Sequence, residues 1–237
     1  MTKFDSLEVE SLRASGILHC GPPFRKSAFE ETKHFCFTHL TLLEYLAARW
    51  FVERGEIPST GIVSSMVIQF MAGILSKKKD NEFMEKLLTV VLQSEESGLA
   101  YIDGQLVGVK CLAEYENKEF AKNFIKKHRE FRVLTFRNVT DVDCIAVSFL
   151  LDVFGELNEE ATKKHQPITE QPFSVQTLSI SASILTQSGI RRICKSLHEE
   201  FCPVVRLRLN ACRLNDECVE YIRGLVSSRL TESSMGK

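Results

Sequence analysis

Five residues of chemically versatile types lie near the start of the chain: His19, Cys20, His34, Cys36 and His39. A thiol beside an imidazole is the smallest unit of a nucleophilic pair, because the imidazole removes the proton that keeps the thiol inert. On an extended stretch His34 and Cys36 share a face, as any residues two apart do. The patterns that would turn these types into an active site do not occur: the sequence has no G-x-S-x-G, no H-E-x-x-H and no cysteine-protease signature. Chance and core packing explain the group better, and the chain is expected not to be an enzyme.

Phosphate binding is the second chemistry to weigh. Gly16-Ile-Leu-His-Cys-Gly21 has the glycine spacing of a phosphate-binding loop, but Pro22 and Pro23 follow it. That loop needs Lys to neutralise the phosphates and a hydroxyl to hold Mg²⁺, and proline lacks even the backbone N–H. No strand ending in acids supplies a second half, so the chain by itself is not expected to hydrolyse ATP. Lys77-Lys-Lys79 is bounded by Asp80 and Glu82 and reads as a solvated helix end, poor as a nucleic-acid site. Eight cysteines, at 20, 36, 111, 144, 194, 202, 212 and 218, form no Cys-x-x-Cys pair. They suit reduced, mostly buried thiols in a cytosolic protein, with neither a metal site nor a disulfide framework.

The whole chain sets further bounds. Its 237 residues are long enough to bury a sizeable core, and 44% hydrophobic with 26% charged residues is too apolar for a disordered chain. Thirty basic against thirty-one acidic residues leave no global field to draw it onto nucleic acid or an anionic membrane. The longest apolar stretch, residues 45–52, is interrupted by Arg49 and is too short to span a bilayer. The first thirty residues do not form a secretory signal, so the expected location is cytoplasmic.

The elements that would position any site are most legible in the last third. Val175-Gln-Thr-Leu178-Ser-Ile180-Ser-Ala-Ser183-Ile-Leu185 aligns with Val204-Val-Arg-Leu207-Arg-Leu209-Asn-Ala-Cys212-Arg-Leu214 at an offset of 29 residues. The match continues through Ile190 with Val219, Ile193 with Ile222 and Leu197 with Val226. Each unit opens with period two and then takes helical spacing, as a strand, turn and helix burying one common face must. A weaker copy lies upstream, with Phe131 to Phe136 as strand and Asp141 to Leu151 as helix, and the segment Glu156 to Pro172 lengthens its link to the next unit. The pattern L-x-x-L-x-L-x-x-C/N-x-L followed by a helix is that of a leucine-rich repeat, and at this period it resembles the ribonuclease-inhibitor type. In that type Cys212 would sit buried at the turn after the strand, with Ser183 in its place one unit earlier. One irregular and two regular repeats are near the minimum for a stable solenoid. The tail Thr231 to Lys237 is too short and polar to cap the last unit: either the chain stops prematurely or its open end meets a partner.

The first half reads as helical. Thr41-Leu-Leu-Glu44 has capping-box spacing and predicts a helix start at Thr41, with Leu42, Leu43, Leu46, Trp50 and Phe51 on one broad face and Gly55 and Pro58 as the stop. Further helices are predicted at 62–75, 81–92 and around 109–127, with Gly98 to Gly108 as a loop. The expected fold class is therefore an α-helical N-terminal half followed by a short α/β solenoid with parallel strands.

Phe35-Cys-Phe37-Thr-His39-Leu-Thr-Leu-Leu-Glu44-Tyr-Leu-Ala-Ala48 resembles the F-x-F-x-H-x-T/S-x-Q/E-E-F/Y-x-A-A segment of the NLR proteins, with Leu43 departing where the family has Gln or Glu. Leu12-Arg-Ala-Ser-Gly16-Ile-Leu18 is similar to a run in their winged-helix domain. Phe70-Met-Ala-Gly73-Ile-Leu75 and Cys111-Leu-Ala-Glu-Tyr115 resemble segments of the helical domain that follows. The resemblance implies the end of a winged-helix domain over 1–55, a helical domain over 56–130 and leucine-rich repeats over 131–237. It implies an intracellular innate-immune receptor whose nucleotide-binding (NACHT) module and effector domain are not in this chain. It also implies that His39 contacts the β-phosphate of ADP held by such a module; a helix opening would favour that anion. No cofactor is expected in the chain itself. Protein partners are expected through the repeat surface, where Thr177, Ser179, Arg206 and Arg208 lie between the core leucines, although alternating polar residues are also what any half-exposed strand shows. The alternative is a stand-alone leucine-rich-repeat adaptor with no nucleotide link, in which the helix around His39 serves only as a packed N-terminal cap.

Overall fold

The computed structural model describes residues 6–20, 24–27, 30–32, 35–59, 63–93, 103–163 and 175–224. His34, Pro22, Pro23, Val226 and the tail from Thr231 lie outside them. Helix α1 (Ser6–Ala14) leads into short strands β1 (Leu18–Cys20), β2 (Phe24–Ser27), β3 (Glu30–Thr32) and β4 (Phe35–Phe37), then helices α2 (Leu40–Arg54), α3 (Ser65–Lys78), α4 (Asn81–Gln93), α5 (Gly104–Tyr115) and α6 (Lys118–Lys127). The remainder alternates: β5 (Leu134–Arg137), α7 (Asp143–Lys163), β6 (Thr177–Ser181), α8 (Gln187–His198), β7 (Arg206–Asn210) and a last helix α9 over 216–224. The chain is thus mostly helical, with one parallel three-stranded sheet in the order β5-β6-β7 and two small antiparallel pairs, β1 with β4 and β2 with β3.

Between β6 and β7 the parallel sheet has the register that the 29-residue offset demands, and β5 of the irregular copy pairs with β6 across a longer connection. Leu134, Leu178 and Leu207 are cross-strand neighbours, and so are Phe136, Ile180 and Leu209. Period-two burial follows: Leu134, Phe136, Leu178 and Ile180 are fully enclosed, whereas Thr135 and Arg137 between them are exposed. Each strand ends on a left-handed residue, Asn138 (φ 54°), Ala182 (φ 50°) and Ala211 (φ 52°), which turns the chain off the sheet at one level. Ser183 then seals the step between units. Its hydroxyl donates to the Ser181 carbonyl at 2.8 Å and accepts the Val139 N–H at 2.9 Å. Cys212 occupies the same place in the next unit, its thiol 3.5 Å from the Ile180 carbonyl and 3.6 Å from that of Asn210. Asp141 fastens the following helix by accepting from the Thr186 N–H at 2.9 Å and from the Thr186 hydroxyl. That contact brings α8 so close that a Cβ on Gly189 would stand 2.4 Å from Asp141 Oδ1.

Several boundaries differ from the sequence expectation. The predicted helix over 109–127 is two helices, because Glu116 turns left-handed (φ 54°) and Asn117 caps α6 by accepting the Phe120 N–H at 3.0 Å. Gly104 to Gly108 is helical, not loop: the Asp103 carboxylate accepts from the Leu106 N–H at 2.9 Å and starts α5 there. Helix α7 runs to Lys163, so part of the expected link after Glu156 is helix. The capping box also fails. His39 is the N-cap of α2 and its side chain makes no cap bond, while Glu44 accepts instead from the Ser64 hydroxyl at 2.6 Å.

One hydrophobic cluster runs from Ala48 to Cys218, joining the helices to the β–α units. Two ion-pair sites brace it. Lys110 meets the buried Asp143 at 2.7 Å. Lys122, 7% exposed at its side chain, meets Glu119, Glu156 and Glu160 at 2.8, 2.9 and 2.7 Å. Burial alone would lower the pKa of Lys122, but those carboxylates raise it.

Candidate functional site

The segments around His39 form one small assembly. Gly16 ends α1 in the left-handed conformation (φ 75°) and the chain enters β1, which pairs antiparallel with β4 so that Leu18 faces Phe37. The Thr38 hydroxyl donates to the Gly16 carbonyl at 2.7 Å and the Thr38 N–H to Ile17 at 3.0 Å, fixing where α2 begins. His39 stands exposed at that beginning, with Leu42 and Leu43 donating to its carbonyl at 3.1 and 3.4 Å. The same pairing sets His19 directly opposite Cys36, both exposed. Sequence reasoning had linked Cys36 to His34; the cross-strand neighbour is His19, which a β-ribbon through residues 18–37 would have predicted.

Helix α2 presents its larger apolar side chains outward. Leu43, Leu46 and Trp50, spaced three and four apart, are 39%, 39% and 47% exposed, and Leu40 extends the line. The residues α2 buries are Ala48 and Val52, with Ala47 and Phe51 packed beside them against the core. The broad face read from the sequence as one surface is therefore two: Phe51 turns toward the core beside Ala48 and Val52, while Leu43, Leu46 and Trp50 turn outward. Arg54 lies over the Trp50 ring at 4.7 Å from its centroid, a cation–π contact on the exposed side of the helix.

No protein-family model matches the chain, and no curated protein sequence matches it.

On the sheet, Thr177 and Ser179 are half-buried and Arg206 and Arg208 are exposed. The register brings them together in rows: Thr177 beside Arg206, and Thr135, Ser179 and Arg208 side by side. Arg137 lies in the next row with Ser181 and Asn210. This polar face is one surface with three arginines and no acid on its strands. Among the described residues Arg206 and Arg208 form no ion pair. His39 belongs to a different part of the molecule from these four, so the expected site residues form two surfaces, not one.

Cys111, Cys144, Cys194, Cys202 and Cys218 are buried where apolar residues would stand, whereas Cys20 and Cys212 are half-buried and Cys36 is exposed. Burial pushes the Cys111 and Cys144 thiols up to about 12 and Cys194 up to about 11, away from reactive thiolate character. Among the described residues no group of three or more His, Cys, Asp or Glu is placed to hold a metal ion. No helix there is long and apolar enough to cross a membrane.

Proposed function

We propose that this chain is the C-terminal part of an NLR-type intracellular receptor, built as the end of a winged-helix domain, a helical domain and a short leucine-rich-repeat solenoid. It acts by recognition and regulation in the cytoplasm, without catalysis and without a cofactor of its own. The sheet face with Thr177, Ser179, Arg206 and Arg208 takes a protein ligand. The surface around His39 docks a NACHT module, where ADP is bound by that module and His39 reaches its β-phosphate.

The observation that carries the reading is the repeated unit itself. Three strands in parallel register, each followed by a left-handed residue and a helix, with Ser183 and the half-buried Cys212 at the same step of the two regular units, are the pattern expected of leucine-rich repeats at successive turns. The stripe Leu43, Leu46 and Trp50 favours the receptor over the stand-alone adaptor, since a finished cap helix would keep its large apolar residues covered.

A direct test mixes the full chain with a purified NACHT module of an NLR protein loaded with ADP or with a non-hydrolysable ATP analogue. Tighter binding to the ADP form is expected, weakened by His39→Ala and by Leu46→Ser with Trp50→Ser. Equal binding to both forms, indifferent to His39→Ala, would overturn the nucleotide link and leave the adaptor.

A further inference from the structure

The two edges of the parallel sheet are treated differently. The β5 edge is closed by side chains at the start of α5. The Gln105 amide donates to the Val133 carbonyl at 2.8 Å and accepts the Thr135 N–H at 3.1 Å, which is how a neighbouring strand would bond there. Asp103 accepts the next outward group, the Arg137 N–H, at 3.1 Å. Gln105 and Asp103 thus occupy the edge that would otherwise accept another strand.

The β7 edge has no such closure among the described residues. In a parallel sheet alternate residues bond to opposite sides, and Arg206 bonds inward, its N–H to the Gln176 carbonyl at 2.9 Å. The N–H and C=O groups of Leu207 and Leu209 therefore turn outward. Their side chains are half-buried, while the equivalent Leu178 and Ile180 are fully enclosed, so each is missing a neighbour on that side. Val219 of α9, which the repeat places at the level of the buried Ile190, remains 43% exposed.

We propose that the β7 edge binds an extended acidic segment of a partner protein as an added strand, its carboxylates alternating with apolar residues. Leu207 and Leu209 supply the main-chain bonds and the core-side contacts. Arg206 and Arg208, adjacent on the solvent side and free of ion pairs among the described residues, select carboxylates at the facing positions. The same arginines disfavour a second copy of this chain. Antiparallel pairing of two β7 edges that sets Leu207 against Leu207 or Leu209 also sets arginine against arginine. This inference rests on the strand register and not on the receptor reading.

The probe is a fluorescent peptide alternating Glu and Val, bounded by prolines to limit self-association, titrated into the full chain and followed by anisotropy and amide exchange. Binding is expected with exchange protection at Leu207 and Leu209, lost for a shuffled peptide and for one N-methylated at alternate backbone positions. Arg206→Glu with Arg208→Glu should weaken the Glu peptide about tenfold and favour its Lys counterpart. Equal binding of the shuffled peptide, or indifference to the charge reversal, would overturn the proposal. So would concentration-dependent dimers protected at Leu207 and Leu209. Binding that emerges only when residues 225–237 are deleted would assign the edge to the chain's own end and also overturn it. NACHT binding can fail without changing any of these readouts.

Discussion

Replacing Ser183 by alanine removes two hydrogen bonds from the step between the first two β–α units. The hydroxyl is 2.8 Å from the Ser181 carbonyl and 2.9 Å from the Val139 nitrogen, and Ser183 is 1% exposed. Alanine therefore strands the Val139 N–H in an enclosed space that water does not reach. An unsatisfied buried donor costs about 1–3 kcal/mol, far more than the net worth of a solvent-exposed bond. Ser183→Cys tests the cause, because the next unit uses Cys212 at the same station. A thiol is a poorer acceptor but still an acceptor, so the cysteine variant should lose about half as much. The assay is urea unfolding at neutral pH, comparing midpoints at constant slope, with amide exchange at Val139 as the local readout. The alanine variant should unfold at lower urea and the cysteine variant between it and the parent. If alanine costs nothing, or cysteine costs more than alanine, the sealing role assigned to this position is wrong.

Gly189→Ala should destabilise by about 1–3 kcal/mol in thermal unfolding, since its Cβ would meet Asp141 Oδ1 at 2.4 Å and Cys144 Sγ at 3.1 Å. Gly73→Ala, whose Cβ has only Glu114 within 4 Å, should instead gain up to about 1 kcal/mol of helix propensity; equal outcomes for the two would refute the packing argument. Burial alone would raise the pKa of Asp143, but Lys110 and the Thr140 N–H and hydroxyl outweigh it and hold the carboxyl below the ordinary value. A depressed carboxyl contributes stability above its unfolded pKa, about 4, and loses it as the pH falls through the folded value. Asp143→Asn should therefore cost about 1–3 kcal/mol at pH 7 and progressively less under acid, as read by unfolding midpoints between neutral and low pH. Iodoacetamide at neutral pH should modify the exposed Cys36 in the folded chain and leave Cys111, Cys144 and Cys194 intact, with all three reacting in urea; early loss of Cys111 would contradict its burial.

The sheet was the most legible part of the sequence, and the reason is physical. Leu178 and Leu207 take the same place in consecutive units and pair across the sheet, so one periodic constraint writes itself twice. Even the irregular copy kept its pattern of burial, with Cys144, Val147 and Leu151 enclosed as Ile190, Ile193 and Leu197 are. Helix starts were harder, because caps are single side chains with close substitutes. Asp103, Asn117 and Thr186 cap their helices, whereas Thr41 had the right spacing and caps nothing. The exposed stripe on α2 was hidden for another reason. Periodicity shows that Leu43, Leu46 and Trp50 share a side, but not whether that side meets the core. Here the smaller Ala48 and Val52 allow α3 to approach and take that place. Gln105 was invisible as an edge closure, since its two bonds reach residues 28 and 30 positions away.

That closure gives the array a direction. With one flank stopped by a glutamine and an aspartate anchored in α5, disturbance has a single place to enter. Heat or mechanical pull should peel β7 first and travel inward, and the last strand to let go should be the one held by the helical half.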